Sequence, residues 1–392
     1  MNDKKIIVGI NASFARKPYT GIGQVTLNFL KKLSQFKVDK FNFILYLEED
    51  LSRDFELPKN FKKRIFLPFW KRDDLIRKIW WEKCLLPRYA KKDKCSYLIS
   101  PYQCPTIVSS EIKHLMITHD VIPELFPEYL NNFRKKLYWK LTKEGIKNAD
   151  KIISISSRTE KDLIRHLGIS PEKISINYID ADEIFKKYIS DGKKQRVLSR
   201  YKLKPGYILA GGGYEARKNV AGVIRAYKIL RDKNKKEYFT DEFPVLAIYG
   251  KLMPELAPLI TDAEKLAREL NLTQRIKFLN LVPQKDLPVL FSSAIMFVFP
   301  SFYEGFGLPV LEAMNTGTPV IAGKISSLPE VGLDSALYCH PNDPSDIAMV
   351  MKNLMVKKKL RDDLTRRGLE RAKQFSWQKF TEKILNIIEN IV

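Results

Sequence analysis

The sequence predicts an α/β protein with parallel sheets, and three observations carry that expectation. Residues 295–322 read IMFVFPSFYEGFGLPVLEAMNTGTPVIA, a complete strand–loop–helix–strand unit. Elsewhere, short apolar runs such as KIIVGI, KHLMIT and YILA alternate with longer stretches of helical periodicity. The chain has 392 residues, enough for two domains of ordinary size and too many for one small core. Units of this kind place functional groups beyond the carboxyl ends of their strands.

In the 295–322 unit, Ile295–Phe299 is apolar and aromatic, as a buried strand requires, and Pro300-Ser301 stops it. Gly305 and Gly307 open a loop. Pro309 then sits where a first helical residue belongs, because its ring presets φ and its missing N–H is not needed there. Gly317 supplies a left-handed stop, and Pro319–Ala322 begins the next strand. Two carboxylates fall in this unit, Glu304 in the loop and Glu312 in the first turn of the helix. The N–H groups of Phe306, Gly307 and Leu308 at the junction suit an anion such as a phosphate, with Ser301 and Gly305 beside them. A carboxylate one helical turn in can accept hydrogen bonds from ribose hydroxyls. One in the loop can hold a sugar beyond the phosphates. On spacing alone, the pair reads equally well as a solvated loop residue and a charge favoured by the helix dipole.

Hydrophobic residues make up 45% of the chain, which excludes a disordered protein. Four scattered cysteines without a C-x-x-C pair argue against a zinc site or a disulfide framework and suit a reducing compartment. The start MNDKKIIVGIN runs straight into a strand, and no apolar run approaches the ~20 residues that span a bilayer. The expectation is a cytoplasmic protein, soluble or peripheral at the inner face of the plasma membrane. The net charge is +23, and residues 59–94 carry 13 Lys/Arg against 4 Asp/Glu with Trp70, Trp80 and Trp81 interleaved. That stretch fits an anionic membrane surface, or a solvated basic face with tryptophans in the core. No nucleic-acid motif accompanies the charge, so nucleic acid is not expected as a partner.

Taken in order, Lys5–Ile10 reads as a strand, followed by Gly21-Ile22-Gly23 and helical periodicity over Val25–Leu33. This G-x-G lies too far past the strand, with Thr26 in place of a third glycine, to be a dinucleotide fingerprint. Lys113–Thr118 is a strand ending in His119-Asp120, where an open sheet places functional groups. Residues 180–200 lose periodicity and gain charge, which places a linker there between domains 1–185 and 195–375. Tyr207–Ala210 opens a second sheet, followed by Gly211-Gly212-Gly213 and by Arg217-Lys218 before a helix from Val220. Two cations there can neutralise a diphosphate. Residues 376–392 carry a terminal amphipathic helix.

SFYEGFGLPVLEAMNTGTPVIAG resembles the E-x7-E signature of retaining, nucleotide-sugar-dependent glycosyltransferases of GT-B fold, the large family 4 group. PYTGIGQVTLNFL, THDVIPELFPEYL, YILAGGGYEARKN and the later SSLPE resemble further segments of that family. The resemblance implies two Rossmann-like domains facing across a cleft, the first for the acceptor and the second for the donor, with a C-terminal helix crossing back. It implies that Gly21 and Gly23 lie near the donor phosphates, that His119 approaches the donor sugar and that Asp120 lies on the acceptor side. Lys218 matches the family's diphosphate lysine. Gly213 replaces an arginine that many members carry, so Arg217 is its expected substitute. The turn Asn280–Pro283, with Val282, is where the nucleotide base is read. The implied reaction is hexose transfer with retention and without a metal, GDP-mannose being the favoured donor ahead of UDP-glucose, another nucleotide hexose and dTDP-rhamnose. The acceptor is a saccharide or a polyprenyl-linked saccharide. Rival readings are a nucleotide-sugar epimerase and an inactive sugar-nucleotide-binding protein; oligomeric state is not readable.

Overall fold

The computed structural model describes residues 5–52, 55–66, 75–233, 243–256 and 258–390. The chain divides into two compact units, Met1–Ile179 with Ser376–Val392, and Asp180–Phe375.

The first unit is built on β1 (Ile6–Asn11), β2 (Phe41–Leu47), β3 (Phe61–Ile65), β4 (Tyr97–Ser100), β5 (Lys113–Thr118), β6 (Lys151–Ser154) and β7 (Ile174–Ile176). All pair in parallel in the order β3-β2-β1-β4-β5-β6-β7. Helices cover a parallel sheet on both faces, so its central strands read as continuous apolar runs rather than alternating ones. YLIS of β4 is accordingly buried at every position. The helix Gly21–Leu33 buries Val25, Phe29, Leu30 and Leu33 as one stripe. It begins four residues before the periodicity at Val25, because the Thr20 hydroxyl caps it by accepting the Gly23 N–H at 3.1 Å. The C-terminal helix Trp377–Asn390 belongs to this unit. Its Phe380 ring stands edge-on to Phe29 at 6.0 Å, and its main chain accepts a hydrogen bond from Asn177 Nδ2 at 2.9 Å.

The second unit carries β8 (Tyr207–Gly211), β9 (Leu246–Tyr249), β10 (Ile276–Asn280), β11 (Ala294–Phe299), β12 (Val320–Gly323) and β13 (Leu337–Cys339). They are parallel, in the order β10-β9-β8-β11-β12-β13. Each sheet starts in its middle, runs outward to one edge and resumes on the other side of its first strand. The strand order therefore reverses between β1 and β4, and between β8 and β11. In open α/β sheets such a switch point, at the carboxyl ends of the strands, is where ligands bind.

One expectation needs correction. The segment 180–200 is not a linker. Asp191–Arg200 is a helix of the second unit with Val197 and Leu198 buried, and Phe185 packs edge-on to Phe291. Only one face of that helix is apolar, so its sequence looked unstructured, and the boundary falls at Ile179 rather than 185. Of the two readings of 59–94, Trp81 fits the one with tryptophans in the core: it is buried and stacked on Phe66, while Trp80 is half-buried and Trp70 lies outside the described residues. Arg77 is buried against Glu48 and Arg64 pairs with Asp93, while Lys59, Lys62, Lys63, Arg88, Lys91, Lys92 and Lys94 are exposed among the described residues. Among the described residues, no helix is long and apolar enough to cross a membrane.

Phe380 is fully buried. Phe380→Ala is expected to cost about 3–5 kcal/mol in denaturant unfolding, while the neighbouring exposed Lys379→Ala stays within about 0.5 kcal/mol. Equal, small effects would show that the C-terminal helix adds nothing to the first unit.

Candidate active site

The loops leaving β8 and β11 meet at the switch point of the second sheet. Gly211, Gly212 and Gly213 all hold positive φ, and a Cβ on Gly211 would lie 2.2 Å from the Tyr249 carbonyl oxygen. Only glycine fits there, and the close approach lets the β8 loop run flush against the end of β9. A single 3-10 turn, Ala216–Lys218, follows and ends on Asn219 at φ 57°. Asn219 tolerates this left-handed backbone and uses its amide to hold three segments together. Nδ2 donates to the carbonyls of Pro300 and Pro341, and Oδ1 accepts from the Gly222 N–H.

That arrangement delivers both cations to Glu304. Arg217 Nη1 lies 2.9 Å from Glu304 Oε1 and donates to the Tyr303 carbonyl at 2.9 Å; Lys218 Nζ is 3.4 Å from the same oxygen. The Ser301 hydroxyl stands 3.0 Å from Oε1. The main chain of Glu304 is also fixed: its N–H donates to Ser326 Oγ, and its carbonyl accepts from the hydroxyls of Ser326 and Ser327. Burial alone would raise the Glu304 carboxyl. The charges of Arg217 and Lys218, with hydrogen bonds from Arg217 and Ser301, outweigh burial and hold it below the usual carboxylate range. Glu304 is therefore ionised and its loop is rigidly placed.

The helix Leu308–Asn315 follows, capped by Gly307 at φ 109°, where a Cβ would strike Leu328 Cδ2 at 2.8 Å. The N–H groups of Val310 and Leu311 return to the Gly307 carbonyl, and Pro309 has none. The N–H groups of Gly307 and Leu308 have no partner among the described residues. Because the helix starts at Leu308, Glu312 sits in its second turn rather than the first. Its side chain is 5% exposed and makes no hydrogen bond or ion pair among the described residues. Burial pushes its carboxyl up to about 8, Asp182 adds to this, and Lys218 opposes it. At neutral pH it is a protonated acid that can donate as well as accept.

Gly213, Arg217, Lys218, Ser301, Glu304, Gly305, Phe306, Gly307, Leu308 and Glu312 thus come together. Val282 adjoins them: its side chain is buried, and Gly250, which abuts Gly213, donates to the Asn280 carbonyl two residues earlier. Tyr249 was not foreseen. Its ring is buried at the end of β9 with the hydroxyl beside Gly212, and the Glu312 and Glu304 charges add to the burial that raises its phenol. An aromatic strand end followed by Gly250 was the available signal.

The remaining expected residues lie in the first unit. His119 is buried, and its Nε2 is 2.8 Å from the Pro101 carbonyl. A carbonyl only accepts, so Nε2 carries the proton. Burial pushes the imidazole down to about 4, leaving a neutral ring with Nδ1 as acceptor. His119 therefore offers an acceptor rather than a ring N–H and carries no charge at neutral pH. Asp120 accepts the Ile122 N–H at 3.0 Å. The Gly23 N–H is already spent on the Thr20 cap, so it is not open to a phosphate. What requires glycine there is packing, since a Cβ would meet the Lys17 carbonyl oxygen at 1.9 Å, whereas Gly21 faces open space.

Two Rossmann-like units that share the strand order 3-2-1-4-5-6, the first with one further strand at its edge, define the GT-B class of glycosyltransferase architecture. Residues 191–371 match the family described as Glycosyl transferases group 1, and residues 19–178 match Glycosyltransferase Family 4. The chain is 30% identical over 384 residues to O-antigen chain mannosyltransferase B of Escherichia coli, covering 94% of this chain and 96% of that protein. It is 28% identical over 237 residues to O-antigen chain mannosyltransferase RfbU of Salmonella typhimurium, 60% of this chain and 59% of that one. Among solved structures, Anabaena HepE in complex with UDP and glucose superposes with a TM-score of 0.72 at 15% identity, over 99% of this chain and all of that one. The chain belongs to the group 1 glycosyltransferases.

The Glu312 carboxyl has an ordinary value of 4.5 and a folded value of about 8, so the folded state keeps a proton that the unfolded chain releases. Its contribution is full below the lower value and is lost as pH rises through the higher. Glu312→Gln, which cannot ionise, is expected to melt close to wild type in mildly acid buffer. It should exceed wild type by a margin that widens up to about pH 8. A constant difference across that range would contradict the assignment.

Proposed function

We propose that the protein transfers a hexose from a nucleoside-diphosphate sugar to a hydroxyl of a saccharide, with retention at the anomeric carbon. One observation carries this reading: ionised Glu304 is held by Arg217 and Lys218 beside the open N–H groups of Gly307 and Leu308, with Glu312 one turn further in.

The roles follow from that geometry. Lys218 and the two N–H groups suit the diphosphate, and their positive charge stabilises it as it leaves. Arg217, already engaged by Glu304 and the Tyr303 carbonyl, keeps the loop in place. Glu312 suits the ribose hydroxyls and the turn at Val282 the base. Glu304, with its fixed main chain, suits the hydroxyls of the transferred sugar. His119, as a neutral acceptor through Nδ1, would orient a sugar hydroxyl, with Asp120 toward the acceptor. In the transfer, the bond from the anomeric carbon to the diphosphate oxygen breaks. The acceptor oxygen bonds to that carbon on the same face, and its proton passes to the departing phosphate oxygen. Holding both reactants in line supplies roughly 7–11 kcal/mol in favourable cases. No side chain is needed as a base, and the cations do the work otherwise left to a metal.

The mannosyltransferase names of the relatives favour GDP-mannose as donor and a surface-polysaccharide chain, free or polyprenyl-linked, as acceptor. The exposed cations from Lys62 to Lys94 would suit such an acceptor on an anionic membrane surface. UDP-glucose and dTDP-rhamnose are the alternatives.

Melting temperatures with GDP, UDP, dTDP and their sugars test the donor, since a ligand at 100 times its Kd adds about 2.7 kcal/mol. A shift with GDP and GDP-mannose is expected, abolished in Lys218→Ala. Glu304→Gln should keep the shift with bare GDP and lose the extra shift from the sugar. No shift with any nucleotide would overturn the reading. In turnover, the product anomer read by NMR is expected to match the donor, and EDTA is expected to leave the rate unchanged. An inverted anomer or a rate abolished by EDTA would refute those two parts.

A further inference from the structure

Tyr249, the last residue of β9, is 7% exposed, and its phenol hydroxyl makes no hydrogen bond among the described residues. An enclosed hydroxyl without a partner costs free energy. Phenylalanine would fill the same space without that cost, so the hydroxyl calls for a ligand.

The ring is held still. It stands edge-on to Phe291 with centroids 6.0 Å apart, and its Cδ1 lies 2.7 Å from where a Cβ on Gly211 would be. Glycine at 211 is what lets the ring lie against the β8 loop. The Tyr249 carbonyl accepts the Gly212 N–H at 3.1 Å, which fixes the strand end as well. The hydroxyl then reaches the start of the helix Leu308–Asn315. Tyr249 Oη and Pro309 Cγ both lie 3.6 Å from the point that a Cβ on Gly212 would occupy. Pro309 and Glu312, three residues apart in that helix, share a face. The Glu312 charge acts on the phenol ahead of that of Glu304, so the hydroxyl stands toward Glu312.

Two groups without protein partners therefore stand close together, the Tyr249 hydroxyl and the Glu312 carboxyl. Burial raises the phenol well above its ordinary value and Glu312 to about 8, so both carry a proton at neutral pH. Each can donate one hydrogen bond and accept another. Two neutral O–H groups side by side suit a pair of adjacent hydroxyls. They are not needed by a diphosphate, for which Lys218 and the N–H groups of Gly307 and Leu308 stand ready.

We propose that Tyr249 is a specificity-determining residue whose hydroxyl bonds one hydroxyl of the ribose diol while Glu312 bonds the other. The proposal rests on the transferase reading, which puts the ribose at Glu312, and adds the residue that reads the second hydroxyl. A 2′-deoxy or 3′-deoxy nucleotide leaves one of the two groups unpaired. A site built to bond a hydroxyl rejects the analogue that lacks it. Ribonucleotide donors are thereby preferred over dTDP-rhamnose, whose nucleoside has no 2′-hydroxyl.

Titration calorimetry on the full chain tests this, with GDP and UDP each set beside its 2′-deoxy and 3′-deoxy forms. Wild type is expected to bind at least one parent nucleotide, and to bind both deoxy forms of it about tenfold or more weakly than the parent. Tyr249→Phe should bind the parent about tenfold more weakly than wild type does. Removing one of the two ribose hydroxyls should then cost the variant little more, because the phenol and that hydroxyl form a single pair. Without ligand the variant is expected to melt at or above the wild-type temperature, since it sheds an unpaired hydroxyl. A variant that binds the parent as well as wild type, equal losses for the parent and both deoxy forms, or a lower melting temperature without ligand would each overturn the proposal. Wild type that binds a parent and its deoxy forms alike would overturn it and leave the transferase reading standing. No binding of any nucleotide would overturn both.

Discussion

A carboxylate buried with two cations is the constraint on which the second unit turns. Glu304 could not remain ionised out of water without Arg217 and Lys218, and the cations could not be buried without Glu304. The segments bearing these residues leave two neighbouring parallel strands 86 positions apart in sequence. Glycines at 211–213 let one loop lie flat, and Asn219 ties it to the carbonyl of Pro300 at the start of the other. Ser326 and Ser327 fix the Glu304 main chain from a third segment. Charge satisfaction and loop geometry therefore specify each other.

The same topology serves opposite electrostatic ends in the two units. At the β8/β11 switch point the fold gathers positive charge, unpaired N–H groups and one proton-bearing carboxyl, which suits a polyanion carrying hydroxyls. At the β1/β4 switch point it gathers rings around a cavity, with Lys78 beside Glu82. His119 illustrates the difference. Buried and tethered to Pro101, it offers a neutral acceptor where a solvated histidine would offer a charge that changes with pH.

Much of the fold and of the cluster at the β8/β11 switch point was legible because it rests on residues with few substitutes. Gly211–Gly213, Gly307 and Gly317 stand where φ is positive, and the proline at 309 marks a helix start. Such signals are local and survive in one dimension. The Glu304 and Glu312 pair was visible as spacing, but the raised carboxyl of Glu312 was not, since it depends on burial and on Asp182 more than a hundred residues earlier. Tyr249 was missed for the same reason: its ring meets the 211–213 loop only because β9 lies beside β8. Trp81, a tryptophan among cations, left two readings open in sequence, and the stack on Phe66 decides for the core. The boundary at Ile179 was displaced because a helix with one narrow apolar face reads like a linker.

The most direct test of the Glu304 cluster as a donor site is a crystal structure with GDP bound. The diphosphate should lie within hydrogen-bond reach of Lys218 Nζ and of the Gly307 and Leu308 N–H groups, with the ribose against Glu312. A diphosphate bound elsewhere, with the Glu304–Arg217–Lys218 cluster facing only water, would contradict it.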